Sequence, residues 1–139
     1  SMFSFRNPVQ EVKKAPKNVY VLTLTKMEGD ADHYYKESIT FKDIDLAMAE
    51  LPELITVLKA LEKAPYNQDQ ELRTLQRNPD LIGVSQNAID RISDMVGSDE
   101  CGNRHKITGA IMEYYDEFGN KFNGDFYMGE EKIFPMNCW

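Results

Sequence analysis

The amino-acid sequence predicts an α+β domain: an antiparallel sheet of about four strands, formed by two hairpins, with two main helices packed on one face. Strand-forming residues occur near both ends of the chain, at 18–42 and again at 107–128. Between them, residues 43–96 repeat their apolar side chains at the three- and four-residue spacing of helices. Strands and helices do not alternate along the chain, so a parallel βαβ arrangement is not expected.

The first predicted hairpin joins strands at 18–26 and 35–42. Both stretches are rich in β-branched and aromatic residues, and the segment between them carries the turn-forming residues Gly29, Asp30 and Asp32. Alternation along each strand places one set of side chains on the inner face of the sheet. That set comprises Tyr20, Leu22, Leu24, Ile39 and Phe41.

Two main helices are predicted in the middle of the chain. The first, within 43–64, has a buried stripe made of Leu51, Leu54, Ile55, Leu58 and Leu61. Because proline removes a backbone donor, Pro52 predicts either a new helix beginning near Leu51 or a kink there. The second helix spans 86–96, with Ser85 as its N-cap and Gly97 at its end. The polar stretch between the helices can hold one helical turn at 71–77.

The second predicted hairpin runs from Ile107 to Met128. Asp116 suits the first position of its turn, and Gly119 suits the left-handed residue that ends it. Pairing of Tyr115 with Asn120 sets Glu113 opposite Phe122 and Gly109 opposite Phe126. This register places Phe122 and Phe126 on the core face of the sheet.

The domain boundaries follow from these elements. We expect an N-terminal arm at 1–17, a single domain at 18–128 and an apolar C-terminal tail at 129–139. Ser1 before Met2 is typical of a residue left by cloning. The sequence shows no apolar run long enough for a membrane span and no signal-peptide pattern. Only Cys101 and Cys138 are present, so a reducing, cytoplasmic location is expected.

Charge is distributed unevenly along the chain. Residues 1–26 carry five basic side chains against one acidic, whereas residues 27–139 carry 11 basic against 22 acidic. An acidic body disfavours binding to nucleic acid, because phosphate contacts need clustered lysine and arginine. The basic arm either touches an acidic partner or is simply solvated.

Motifs for enzymatic chemistry are few. The sequence has no phosphate-binding glycine loop, no nucleophile elbow and no paired-histidine zinc motif. A metal-binding alternative uses Asp30, Asp32 and His33, because two carboxylates and an imidazole on one loop can hold a divalent cation. A second alternative uses Cys101 and His105 as zinc ligands or as a nucleophile with its base. In both places a solvated loop is the competing interpretation, so no cofactor is expected and an enzyme is disfavoured.

Aromatic residues concentrate near the C-terminus, where eight of the chain's fifteen lie. Exposed aromatic side chains mark contact surfaces more often than catalytic ones. The sequence therefore predicts an interaction domain that binds another protein or itself, as small regulators, adaptors and virus- or phage-encoded inhibitors do. Coverage of these side chains by the helices or the arm is the competing interpretation. The candidate contact residues are Tyr114, Phe118, Tyr127, Phe134 and Trp139.

Overall fold

The computed structural model describes residues 19–28 and 33–128, with the backbone alone for 123–127, and confirms the predicted α+β fold. The predicted arm and tail lie outside the described residues. The described elements are β1 (Val19–Met27), β2 (Tyr34–Phe41), α1 (Ile44–Glu62), α2 (Gln68–Arg77), α3 (Gln86–Val96), β3 (Lys106–Tyr115) and β4 (Lys121–Met128), with a 3-10 turn at Pro79–Leu81.

The described strands form one open antiparallel sheet in the order β2-β1-β3-β4. Two hairpins, β1–β2 and β3–β4, meet through their inner strands, as the sequence predicts. β1 begins and β3 finishes at the same end of the sheet, where Val19 pairs with Tyr115. The end of β2 and the turn between β3 and β4 therefore lie at that same end.

The hydrophobic core lies between one face of the sheet and the helices. Leu22 pairs with Ile39 on one side and with Met112 on the other, so these side chains share a face. Each helix covers this face with a stripe of buried apolar side chains. The buried helical residues include Leu54, Leu58 and Leu61 of α1, Leu72 and Leu75 of α2, and Ile89 and Ile92 of α3.

The predicted register of the second hairpin was wrong. Tyr115 pairs with Lys121, and Tyr114, not Glu113, lies opposite Phe122. The turn takes all of residues 116–120, because the Asp116 N–H donates to the Asn120 carbonyl at 3.0 Å and closes a longer loop. A bulge between Ile111 and Glu113 then shifts the ladder again.

A second bulge lies where β3 pairs with β1. Thr25 pairs with Gly109 but Lys26 pairs with Ile107, so Thr108 is the extra residue. Its hydroxyl donates to the Thr25 carbonyl at 3.3 Å. Because the bulge changes the alternation, Ile107 and Ala110 both belong to the core cluster.

α1 is one helix that contains Pro52, without a second start near Leu51. The Asp43 carboxylate caps it by accepting from the backbone N–H groups of Asp45 and Leu46. Ala47 and Leu51 before the proline are buried, as Leu54 is after it. Burial on both sides offsets the roughly 3 kcal/mol that an interior proline costs.

α2 is longer than the single turn expected from the sequence. Its first residue, Gln68, is only 4% exposed, and its amide bonds both backbone groups of Ile107. Leu72 and Leu75 are buried one and two turns further along. The helix is thus fixed by contacts with β3 that the polar sequence of the segment does not reveal. Among the described residues, no helix is long and apolar enough to cross a membrane.

Candidate functional site

Aromatic side chains form a row across the sheet at the end where the hairpin turn lies. The ladder places Phe41 opposite Tyr20, Tyr20 opposite Tyr114, and Tyr114 opposite Phe122. The Tyr20 and Tyr114 ring centroids lie 5.6 Å apart, and the Tyr114 and Phe122 rings stack at 4.9 Å with 16° between their planes. We call these four residues, one from each strand, the aromatic row. It lies on the helix-covered face and becomes more exposed towards β4, where Phe122 is 42% exposed.

The turn that follows β3 presents Phe118 to solvent on a fixed backbone. The Asp116 carboxylate accepts hydrogen bonds from the backbone N–H groups of Phe118 and Asn120, each at 2.9 Å. Gly119 has φ +84°, a conformation that side chains rarely allow. Phe118 between them is 81% exposed. A rigid turn loses little conformational entropy when its exposed ring binds a partner. This property favours Phe118 as a contact residue.

Other exposed apolar residues lie near the same end of the molecule. Nine large apolar side chains are exposed among the described residues, and five of them belong to the hairpin or to the first turns of α1. Because α1 begins three residues after Phe41, its first turn adjoins the aromatic row at the β2 edge. The five are Ile44, Leu46, Met48, Phe118 and Phe122.

Fixed carboxylates flank the aromatic row on both sides. At the β2 edge, the Asp43 carboxylate is held by the first turn of α1, with 2.8 Å to the Asp45 N–H. At the β4 edge, the Asn120 side-chain amide and then the backbone N–H groups of the turn lower the pKa of Asp116, so it stays ionised at neutral pH. The nearby Lys121 forms an ion pair with Glu113 at 3.0 Å, on the opposite face of the sheet.

The structure describes part of the predicted contact set. Phe118 is exposed and Tyr114 is half-buried in the aromatic row. The side chain of Tyr127 and all of Phe134 and Trp139 lie outside the described residues. Phe122, which the expected register placed on the core face opposite Glu113, is on that face but lies opposite Tyr114 and is partly exposed. A five-residue turn in place of a four-residue one would have found this pairing from the sequence.

The predicted metal loop is described only in part. His33 is exposed at the start of β2, while Asp30 and Asp32 lie outside the described residues. Within residues 19–28 and 33–128, no group of three or more histidine, cysteine, aspartate or glutamate side chains is placed to hold a metal ion.

Cys101 and His105 occupy different surroundings. Cys101 is exposed in the loop after α3, where its N–H donates to the Asp99 carboxylate at 2.8 Å. Backbone N–H donation from Asn103, and then from Cys101, lowers the pKa of Asp99. The Nδ1 atom of His105 lies 3.1 Å from the Val96 carbonyl, and its ring lies against Tyr35. The histidine therefore contacts the end of α3, which gives it a structural role.

Two further basic side chains reach the carboxyl end of α3. Lys26, 5% exposed, donates to the Met95 carbonyl at 2.6 Å and to Glu37 at 3.1 Å. Arg104 donates to the Ser93 carbonyl at 2.7 Å and to the Gly97 carbonyl at 3.1 Å. Cations at this position complement the negative end of the helix dipole. These groups therefore fix the end of α3 to β1 and to the loop before β3.

A groove of about 760 Å³ lies between α1, α3 and β2. Five carboxylates and Arg91 line it above an apolar floor that includes Leu54 and Met95. Four of the carboxylates already have partners within the protein: Glu37 pairs with Lys26, Glu50 with Arg91, Glu53 with Ser85, and Asp90 with Gln86. The Ser85 hydroxyl and then its backbone N–H lower the pKa of Glu53. The contacts of Glu50 with Arg91 and of Glu53 with Ser85 tie α1 to α3, so the groove is the weaker candidate.

Comparison of the chain with protein-family models, with curated proteins and with solved structures found no match.

Proposed function

We propose that this protein is a non-enzymatic interaction domain that binds another protein, or a second copy of itself, through the aromatic surface at the β3–β4 hairpin. Phe118 and Phe122 are the central contacts, with Tyr114 behind them. A regulator, an adaptor and a virus- or phage-encoded inhibitor of host machinery are the roles that such a domain suits.

The observation that carries this proposal is Phe118, 81% exposed on a turn that the Asp116 carboxylate and Gly119 hold in one conformation. Aromatic anchors in preorganised surfaces account for much of the binding energy at protein interfaces. Phe122 extends the apolar surface, and its stacking on Tyr114 holds its ring in place. Single exposed apolar residues are common, but two exposed aromatic rings on one hairpin are typical of a contact surface.

Differential capture tests the proposal. The wild-type protein and a variant with Phe118→Ser and Phe122→Ser are immobilised, and proteins retained from a lysate of the source organism are quantified by mass spectrometry. Leu81→Ser is the matched control, because Leu81 is 59% exposed on the 3-10 turn, outside the hairpin. Sedimentation velocity measures self-association of the same three proteins.

The proposal requires that a partner, or the self-associated species, is lost in the double variant and retained in the Leu81 variant. Loss of a hot-spot aromatic costs at least about 2 kcal/mol, or roughly thirtyfold in affinity. Equal capture and equal sedimentation for all three proteins would contradict it.

A further inference from the structure

We infer that the outer face of the Phe122 ring, beside the hairpin turn, binds an arginine side chain of the partner protein. This inference rests on the proposed protein-binding role and specifies what the partner presents to the surface. The occupant is a guanidinium group that stacks on Phe122 and pairs with a carboxylate of the turn.

The ring of Phe122 has one face covered and one face turned outwards. Tyr114 stacks on the inner face, with 4.9 Å between centroids. β4 is an edge strand of the described sheet, so the opposite face of the ring points away from the sheet. The side chain is 42% exposed, which leaves room for a planar group.

The opposite edge of the aromatic row already carries such an arrangement. The Arg91 guanidinium lies over the Phe41 ring, 5.5 Å from its centroid, and also pairs with the Glu50 carboxylate. A cation over an aromatic face is attracted by the negative charge of the π system, and arginine adds planar stacking. At the β2 edge, the protein's own arginine thus satisfies a ring face and a carboxylate together.

The turn that joins Tyr115 to Lys121, next to the pair of Tyr114 and Phe122, carries two carboxylates. Glu117 is exposed on the turn, and Asp116 beside it stays ionised because the turn donates hydrogen bonds to it. Lys121 does not occupy this position, since its ammonium pairs with Glu113 on the other face. The combination of an aromatic face and adjacent negative charge favours arginine over lysine, because a guanidinium stacks and pairs at the same time.

Tri-arginine, tri-lysine and tri-citrulline amides are the probes for this site. Each is titrated into the isotope-labelled protein, and backbone amide and aromatic chemical shifts are followed by NMR. Tri-arginine should shift residues 116–122 in a saturable manner. Tri-lysine should bind several-fold more weakly, and tri-citrulline, which keeps the planar shape without the charge, should give no shift.

Three variants then test the ring and the carboxylate. Phe122→Leu keeps an apolar side chain without a ring and should weaken tri-arginine binding by about five- to tenfold. Phe122→Trp should retain or strengthen binding, because indole is the strongest cation–π partner. Glu117→Gln should weaken it by about two- to threefold, as expected for an exposed ion pair. Unchanged shifts elsewhere in the spectra establish that each variant is folded.

Shifts centred on Glu50, Asp90 and Asp94 would place the arginine in the helix groove and overturn the inference. Equal binding of tri-lysine and tri-arginine, or no saturable shift, would overturn it too. The capture experiment separates the two proposals. If tri-arginine does not bind at Phe122 while the double serine variant still loses its partner, the arginine inference is wrong and the proposed contact surface is supported.

Discussion

Replacing Gln68 should show how strongly one buried amide fixes α2 to the sheet. The Gln68 Nε2 atom donates to the Ile107 carbonyl at 2.7 Å, and its Oε1 atom accepts from the Ile107 N–H at 2.8 Å. Ile107 is fully buried, so removal of the amide leaves two backbone groups without these partners. Each unsatisfied buried group costs about 1–3 kcal/mol. Gln68→Ala should therefore lower the free energy of unfolding by about 2–4 kcal/mol.

Gln68→Glu makes the same contact depend on pH. The protonated carboxyl group can still donate to the Ile107 carbonyl and accept from its N–H, whereas the ionised form only accepts and faces the carbonyl at short range. Burial and the lost donor raise the pKa of the introduced carboxyl above its unfolded value of about 4.3. Its contribution is thus fully present below that unfolded value and is lost as pH rises through the folded pKa. A rise of about two units corresponds to roughly 2.7 kcal/mol near neutral pH.

Urea denaturation followed by circular dichroism, at roughly pH 4 and roughly pH 7, measures the effect. Gln70→Glu is the matched control, because Gln70 is exposed in the same first turn and shares any gain from the helix dipole. We expect a penalty for Gln68→Glu that is small in acid and large at neutral pH, with little change in the control. An equal penalty at both pH values would refute it.

Further predictions concern the core, the end of α3 and the hairpin turn. Leu58→Ala should cost about 2–5 kcal/mol in urea denaturation, and exposed Leu81→Ala far less; similar costs would contradict the assigned core. Gly97→Ala should cost about 1–3 kcal/mol, because Gly97 has φ +64°, a backbone conformation that residues with a side chain rarely adopt; an unchanged denaturation midpoint would argue against this backbone. Asp116 should titrate below its ordinary pKa by NMR, so the penalty of Asp116→Ala should be present at neutral pH and vanish as pH falls through that lowered value. A penalty independent of pH would show that the carboxylate does not hold the turn.

The fold could be predicted from the sequence because, in most elements, the local capping and turn residues agree with the spacing of the buried apolar residues. Ser85 caps α3, because its hydroxyl accepts a hydrogen bond from the Ala88 N–H at 3.2 Å. Gly97 ends the same helix with positive φ. Asp116 and Gly119 formed the expected turn for equally local reasons. Such features depend on a few neighbouring residues, which the sequence displays directly.

The pairing of residues that are distant in the chain was harder to predict from the sequence. A five-residue turn, the bulge at Thr108 and the irregular pairing of β3 with β4 between Ile111 and Glu113 changed the register. A single extra residue in a strand moves the following side chains to the other face. Phe122 consequently lies opposite Tyr114, and not opposite Glu113, on the helix-covered face. Gln68 gave no sequence signal, because a glutamine in a polar segment predicts solvent exposure and only the folded chain brings it to Ile107.

Site-specific photo-crosslinking tests the contact surface most directly. A benzophenone amino acid replaces Phe118 in one protein and Leu81 in another, since both positions are exposed and the replacement keeps an aromatic group at the hairpin turn. The two proteins are irradiated in cells of the source organism, and adducts are identified by mass spectrometry. The proposal predicts a defined adduct, with another protein or a second copy of the chain, from position 118 and none from position 81. The absence of an adduct at 118, or the same adducts from both positions, would contradict it.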